Sequence, residues 1–197
     1  MKLQKPRHAR HGFVATMVAG IQWIRDSRVA VYSIVSSLCA TVLVFIFSFL
    51  FFRPTVVYGE SMMPSLLSND VLLLNCINYK PAYGDIAVIR RPNDDMLIKR
   101  VIAVGGDTVY IDPVNQCVYR NGEKLEEPYI SCPTPAIRLT GEVKVPDGHI
   151  YVLGDNRANS HDSRYSDIGM VSLDAVIGKA VYRFYPFKTA GKLSVEE

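Results

Sequence analysis

The sequence predicts a mostly β protein of antiparallel sheets carried behind one N-terminal transmembrane helix. Three observations support this. Residues 29–52 form an apolar run of 24 residues without a charge. After Arg53-Pro54 the pattern changes to short apolar stretches of strand length. Those stretches are separated by turn signals such as Gly105-Gly106-Asp107, Asn121-Gly122 and Pro146-Asp147-Gly148. Many short strands with turns between them suggest two packed antiparallel sheets.

As a helix, the apolar run would extend about 36 Å, enough to cross a hydrocarbon core of about 30 Å. A cleaved signal peptide usually has a shorter apolar core, so a permanent anchor is the preferred reading. Residues 13–24 are also apolar but too short to span, and would lie in the interface or extend the anchor helix. Charge is split along the chain. Residues 1–52 hold six Lys/Arg against one Asp, and residues 53–197 hold 16 Lys/Arg against 18 Asp/Glu. Arg25 and Arg28 precede the run, with Lys2, Lys5, Arg7 and Arg10 further back. On the positive-inside rule the N-terminus is cytoplasmic and the larger part lies outside. Three segments follow: a basic cytoplasmic tail (1–28), a transmembrane helix (29–52) and an extracytoplasmic β-rich domain (53–197). The last is mildly acidic with no basic run, which argues against nucleic-acid binding.

In order, residues 55–58 read as an extended lead-in, and Pro54 as a helix breaker. Residues 64–69 are compatible with one helical turn. Residues 71–77 are a continuous apolar strand expected to be buried on both faces. Further strands are expected at 85–90, 96–104, 108–111, 116–120, 123–125, 141–145, 149–153 and 176–185, with a helical turn at 171–175. Residues 126–140 are proline-rich and irregular.

Four cysteines are present. Cys39 and Cys76 read as small core residues. Cys117 and Cys132 would face an oxidising compartment, and the sequence leaves open whether they are bridged or two free thiols. His8 and His11 fall in the basic N-terminal tail, His149 and His161 have no ligand spacing, and there is no Cys-x-x-Cys, so no metal site is expected.

Three stretches carry chemistry. The first is Gly59-Glu60-Ser61-Met62-Met63-Pro64-Ser65-Leu66. Gly59 permits positive φ and Pro64 restricts Met63, so Ser61 sits on a tight bend with its N–H free to meet a ligand. A serine hydroxyl is a poor nucleophile at neutral pH without a base. The second stretch is Leu97-Ile98-Lys99-Arg100-Val101-Ile102-Ala103-Val104-Gly105-Gly106-Asp107. Strand alternation puts Lys99 on one face with Leu97, Val101 and Ala103, and Arg100 on the other. A lysine among apolar neighbours is desolvated, which lowers its pKa and makes it a candidate base. A lysine whose head snorkels into water is the competing reading. The third is Gly154-Asp155-Asn156-Arg157-Ala158-Asn159-Ser160-His161-Asp162-Ser163-Arg164, dense in groups that can orient a base.

In this order, behind an N-terminal anchor, the three stretches closely resemble bacterial type I signal peptidases (leader peptidases). The resemblance runs from about residue 29 to 187, and residues 113–140 add nothing to it. It implies a membrane-anchored serine endopeptidase with a serine–lysine dyad and a signal-peptidase-like catalytic domain on the outer face of the bacterial cytoplasmic membrane. The implied activity is removal of signal peptides from exported preproteins, after small residues of the Ala-x-Ala type, without a cofactor. The implied partners are those preproteins, the lipid bilayer and the secretion machinery. Carried over, Ser61 is the nucleophile, Lys99 the general base and Ser160 the serine that hydrogen-bonds and orients the lysine. Arg100, Asp155, Asp162 and Arg164 match a charged cluster bracing the site. The Ser61 N–H is the expected oxyanion donor. Where some members carry a second donor in a hydroxyl residue two positions before the nucleophile, this chain has Gly59, leaving a backbone N–H near Gly59 or an unidentified group for that task. Two other readings share part of the pattern: a self-cleaving serine–lysine repressor of the LexA type, which would need a DNA-binding domain, and a non-catalytic anchored β module.

Overall fold

The computed structural model describes residues 9–92, 94–137 and 141–193. The chain divides into two units, Met1–Leu50 and Phe51–Glu197. The expectations for Lys2, Lys5, Arg7 and His8 lie outside the described residues.

The first unit is the helix α1 (Ala9–Phe51), which absorbs the apolar stretch at 13–24 into one continuous element. Its segment Ser27–Ile46, 20 residues with a mean hydropathy of 2.3, is long and apolar enough to cross a membrane. Cys39 is exposed on this helix rather than a core residue. The helix stops three residues before Pro54, whose ring disfavours helical geometry in the residue ahead of it.

The second unit holds twelve strands among the described residues. They are β1 (Phe52–Val56), β2 (Val71–Asn75), β3 (Ile86–Arg90), β4 (Met96–Val104), β5 (Thr108–Ile111) and β6 (Val118–Arg120). There follow β7 (Glu123–Lys124), β8 (Val143–Lys144), β9 (His149–Leu153), β10 (Val171–Ser172), β11 (Val176–Tyr185) and β12 (Gly191–Lys192). One sheet runs β1-β2-β11-β3-β4-β9-β10 with β12 added to β11, and the other runs β7-β6-β5-β8. The pairings in both are antiparallel. Pro54 is tolerated within β1 because that strand pairs only with β2, leaving an edge that needs no N–H donor. The hairpin between β6 and β7 turns through Asn121 and Gly122 at φ 53° and 81°, the positive pair that a two-residue hairpin turn requires.

Three apolar clusters fill the unit. One joins Val57, Met62 and Leu66 of the bend to Leu72, Leu74, Val88 and Ile98. A second joins β4 and β9 to β5 and β6 through Ile102, Ala103, Tyr151, Leu153, Val109 and Val118, packing the two sheets together. The third lies around Ala87, Val101 and Val152. Two expectations need correction. β2 is buried only at alternate positions, Leu72 and Leu74, because one face lies on the first cluster and the other is partly open. The strand alternation through Lys99 also fails at Ala103: the pairing with β9 shifts register between Val101 and Ala103, so Ala103 packs beside Ile102.

From Arg100 onward the strand β4 pairs with β9, but over residues 96–99 it pairs with β3 alone. That stretch of β4 and the outer side of β1 are therefore two strand edges without a partner among the described residues. They flank the site.

Candidate active site

A cleft of about 650 Å³ lies between residues 54–58 and residues 96–99, with Ser61, Met62 and Lys99 in its wall. The bend that carries Ser61 is built as its sequence suggests. Gly59 takes φ +85°, a conformation costly for a residue with a side chain. Val57 donates to Asp70 and Asn69 to Val57, tying the two stems, while buried Met62 and Leu66 peg the bend to the first apolar cluster. The Met62 carbonyl accepts from Leu66 and the Glu60 carbonyl from Met63, so the stretch forms tight turns rather than a regular helix.

Lys99 is 3% exposed, and its Nζ lies 2.6 Å from Ser61 Oγ. Burial lowers its pKa from 10.5 to about 8, against the pull of the Asp162 and Asp155 carboxylates and with a smaller push from Arg164. The amine is thus far easier to deprotonate than an ordinary lysine.

The charged residues form two buried ion pairs. Arg100 grips Asp155 at 2.8 and 2.6 Å, donates to the Gly84 carbonyl at 2.9 Å, and stacks over the Tyr129 ring at 3.9 Å. Arg164 grips Asp162 at 2.8 and 2.9 Å. Asp162 also accepts from the Gly154 N–H at 3.0 Å. Burial works against ionisation of Asp162, but the Arg164 hydrogen bonds and charge outweigh it and hold its carboxyl below the usual range. Ser160 is buried beside Asp162, yet no hydrogen bond joins its hydroxyl to Lys99. The arrangement expected for Ser160 is thus not the one present, although the residue stands in the same cluster.

Other residues complete the site without having been singled out by sequence. Arg157 is fully buried and donates to both Glu127 oxygens at 2.9 and 2.6 Å, to Thr134 Oγ1 at 2.5 Å and to the Gly154 carbonyl at 3.0 Å. Tyr129 donates to Glu127 at 2.9 Å, and Arg164 to the Pro135 carbonyl at 3.3 Å. Three arginines thereby pin the irregular stretch 126–137 against the site. Arg157 had a signal, its place in the third stretch, but Glu127 lies where nothing in the sequence marks it. Asn156 donates through its backbone to the Ser61 carbonyl at 3.0 Å and through Nδ2 to the Glu60 carbonyl at 3.1 Å. Cys117 and Cys132 are free thiols, both half-buried.

The family model described as signal peptidase, peptidase S26, matches residues 30–185. A probable signal peptidase I-1 of a Synechocystis species is 37% identical over 166 residues, spanning 78% of this chain and 82% of that protein. The signal peptidase I of Bacillus caldolyticus is 35% identical, over 76% of this chain and 85% of its own. Signal peptidase IB of Staphylococcus aureus is 35% identical, over 78% and 88%. A crystal structure of a signal peptidase I from Enterococcus faecalis matches only in part, with a TM-score of 0.42, 31% identity, and 51% of this chain and 97% of that one covered. The sequence matches therefore carry the assignment: the chain belongs to the signal peptidase family, peptidase S26.

Proposed function

We propose that this protein is a membrane-anchored serine endopeptidase that removes signal peptides from exported preproteins, with Ser61 as nucleophile and Lys99 as general base. The observation that carries the reading is one distance in one environment: a buried amine of lowered pKa, 2.6 Å from a serine hydroxyl in the wall of a cleft.

The preprotein lies extended in the cleft, its backbone meeting the unpaired edge of β4 at residues 96–99. Ser61 Oγ attacks the scissile carbonyl carbon, and its proton passes to the neutral Lys99 amine. The carbonyl oxygen takes the charge and is held by the Ser61 N–H, for which no acceptor stands among the described residues. Collapse of this intermediate breaks the C–N bond, and Lys99 returns its proton to the leaving amine. A water, deprotonated by Lys99, then hydrolyses the acyl-enzyme. Arg100–Asp155 and Arg164–Asp162 hold the Lys99 surroundings in place, and Ser160 belongs to that support. The residues at and two before the cut are small, of the Ala-x-Ala type.

The helix supplies the anchor. Its cationic N-terminal flank sets the tail in the cytoplasm and residues 53–197 on the outer face of a bacterial membrane, in a single pass. Anchoring raises the effective concentration of a substrate held in the same bilayer, beside the secretion machinery that delivers it.

The test is cleavage of a purified preprotein by the full chain in detergent, with N-terminal sequencing of the product. Wild type should release one new N-terminus after a small residue, and Ser61→Ala and Lys99→Ala none. Cleavage by Lys99→Ala at the parent rate would remove the base assignment.

A further inference from the structure

Ser61 is held by two peptide groups, one on each side of its Cα, and one residue outside the bend holds both. The Asn156 backbone N–H donates to the Ser61 carbonyl at 3.0 Å, fixing the Ser61–Met62 peptide. The Asn156 Nδ2 donates to the Glu60 carbonyl at 3.1 Å from outside the bend, alongside the Met63 N–H within it at 3.1 Å, and the two together fix the Glu60–Ser61 peptide. The second contact has a consequence for charge. A trans peptide is planar, with its N–H directed opposite to its C=O. Pinning the Glu60 carbonyl therefore sets the direction of the Ser61 N–H, the group that would meet the developing oxyanion.

The holder is itself rigid. Asn156 opens the 3₁₀ turn Arg157–Asn159, and its carbonyl accepts from the Asn159 N–H at 3.0 Å. Two residues earlier, the Gly154 carbonyl accepts from Arg157 Nε at 3.0 Å, and the Arg157 guanidinium is locked by Glu127. Next to it, Asp155 is locked by Arg100. Asn159 adds a longer donation, 3.4 Å, to the Glu60 carboxylate. Both of the Asn156 donations end on the backbone of the bend, while the charges that act on Lys99 are those of Asp162, Asp155 and Arg164, so Asn156 bears on the nucleophile's backbone and not on the base.

We propose that Asn156 is a positioning residue of the oxyanion site: its side chain aims the Ser61 N–H by holding the Glu60 carbonyl. The inference rests on the peptidase reading and on Ser61 as nucleophile. It accounts for how a bend with Gly59 in place of a hydroxyl residue keeps its remaining donor aligned.

The experiment uses the full chain in detergent, a purified preprotein as substrate, and a peptide aldehyde ending in alanine as a transition-state mimic. The aldehyde carbon is attacked by Ser61 Oγ to give a hemiacetal whose oxygen occupies the oxyanion position. Asn156→Ala and Asn156→Asp both delete the donor and keep the backbone N–H, and Asp also preserves the shape. Each should lower kcat by about 10- to 100-fold, the range for slight misplacement of a reacting group. KM should hold within about twofold, and the aldehyde Ki should rise by the factor by which kcat/KM falls. The pH profile should keep its midpoint, because the Lys99 surroundings are untouched. Thermal unfolding identifies any variant that misfolds, and the other is then read. Unchanged kcat in a folded variant would overturn the proposal, as would a fall in kcat with no loss of aldehyde binding or with a moved pH midpoint. If wild type itself leaves the preprotein intact, the peptidase reading falls and this inference with it. Cleavage by wild type with an indifferent Asn156 removes this inference alone.

Discussion

The Cα of Gly154 rests against the carbonyl oxygen of Ser61, with no room between them for a β-carbon. The loop after β9 and the Ser61 bend, with Gly154 and Ser61 93 positions apart by residue number, meet backbone to backbone at this point. A methyl at residue 154 would also strike Ser160. Gly154→Ala must therefore push the two loops apart or move Ser160. We expect a loss of about 100-fold in kcat from displacement of Ser61, with about 1–3 kcal/mol of stability lost to overpacking. Preprotein cleavage and thermal unfolding would check both. A variant with parent activity would mean that the two loops are free to separate without consequence.

The second prediction concerns pH. On the proposed mechanism only the neutral form of Lys99 takes the Ser61 proton, and its pKa is lowered to about 8. kcat/KM should therefore rise with pH through a midpoint near that value and level off above it. The measurement is the pH dependence of cleavage at substrate concentrations well below KM. A midpoint at the ordinary lysine value of 10.5, or a rise complete below pH 6, would assign the titration to another group.

The parts of this arrangement differ in how far the sequence reveals them. The strands β4, β5, β9 and β11 match their expected bounds, because each is an apolar run closed by a strong turn signal or a change of pattern. The bend at Ser61 follows from Gly59 and Pro64. The order of strands does not follow in the same way. β11 inserts between β2 and β3, a pairing that joins residue 75 to residue 179 and leaves no local trace. Lys99 reads equally well as a snorkelling surface lysine until the fold closes over it. Glu127 is harder still. A carboxylate in a proline-rich stretch reads as solvated, and its burial makes sense only beside Arg157, whose own burial depends on it. The displaced Ala103 belongs to the same class, since a bulge arises from the partner strand as much as from its own residues.

The third prediction trades activity for stability. Burying Lys99 lowers its pKa, so between about pH 8 and 10.5 the unfolded chain holds a proton that the folded chain lacks. Stability from this group therefore rises with pH across that window, and below it the full cost applies, about 3 kcal/mol for a shift from 10.5 to about 8. Lys99→Met keeps the stem and removes the titrating amine. It should abolish cleavage, stabilise the fold at pH 7 by up to about 3 kcal/mol, and lose that advantage above pH 10. Urea unfolding at the two pH values would show it, and equal stabilisation at both would exclude desolvation of the amine as the cause.

The last prediction addresses the stretch 126–137. Glu127 and Arg157 are 4% and 0% exposed as side chains and share a two-pronged ion pair. Removing one partner strands the other charge in a dry site, which typically costs about 3–5 kcal/mol, whereas removing both and refilling the space with apolar atoms costs little. Glu127→Leu alone should therefore be strongly destabilising. Adding Arg157→Met should recover part of the loss, although the Arg157 donations to Thr134 and the Gly154 carbonyl would remain broken. Activity should not recover with stability, because the Gly154 carbonyl is then no longer held and the Asn156 donors that bracket Ser61 are less well fixed. Urea unfolding and cleavage assays on the two single variants and the double variant separate these effects. A Glu127→Leu variant within about 1 kcal/mol of the parent would mean that the pair is as weak as a solvated surface ion pair and that the stretch is not pinned.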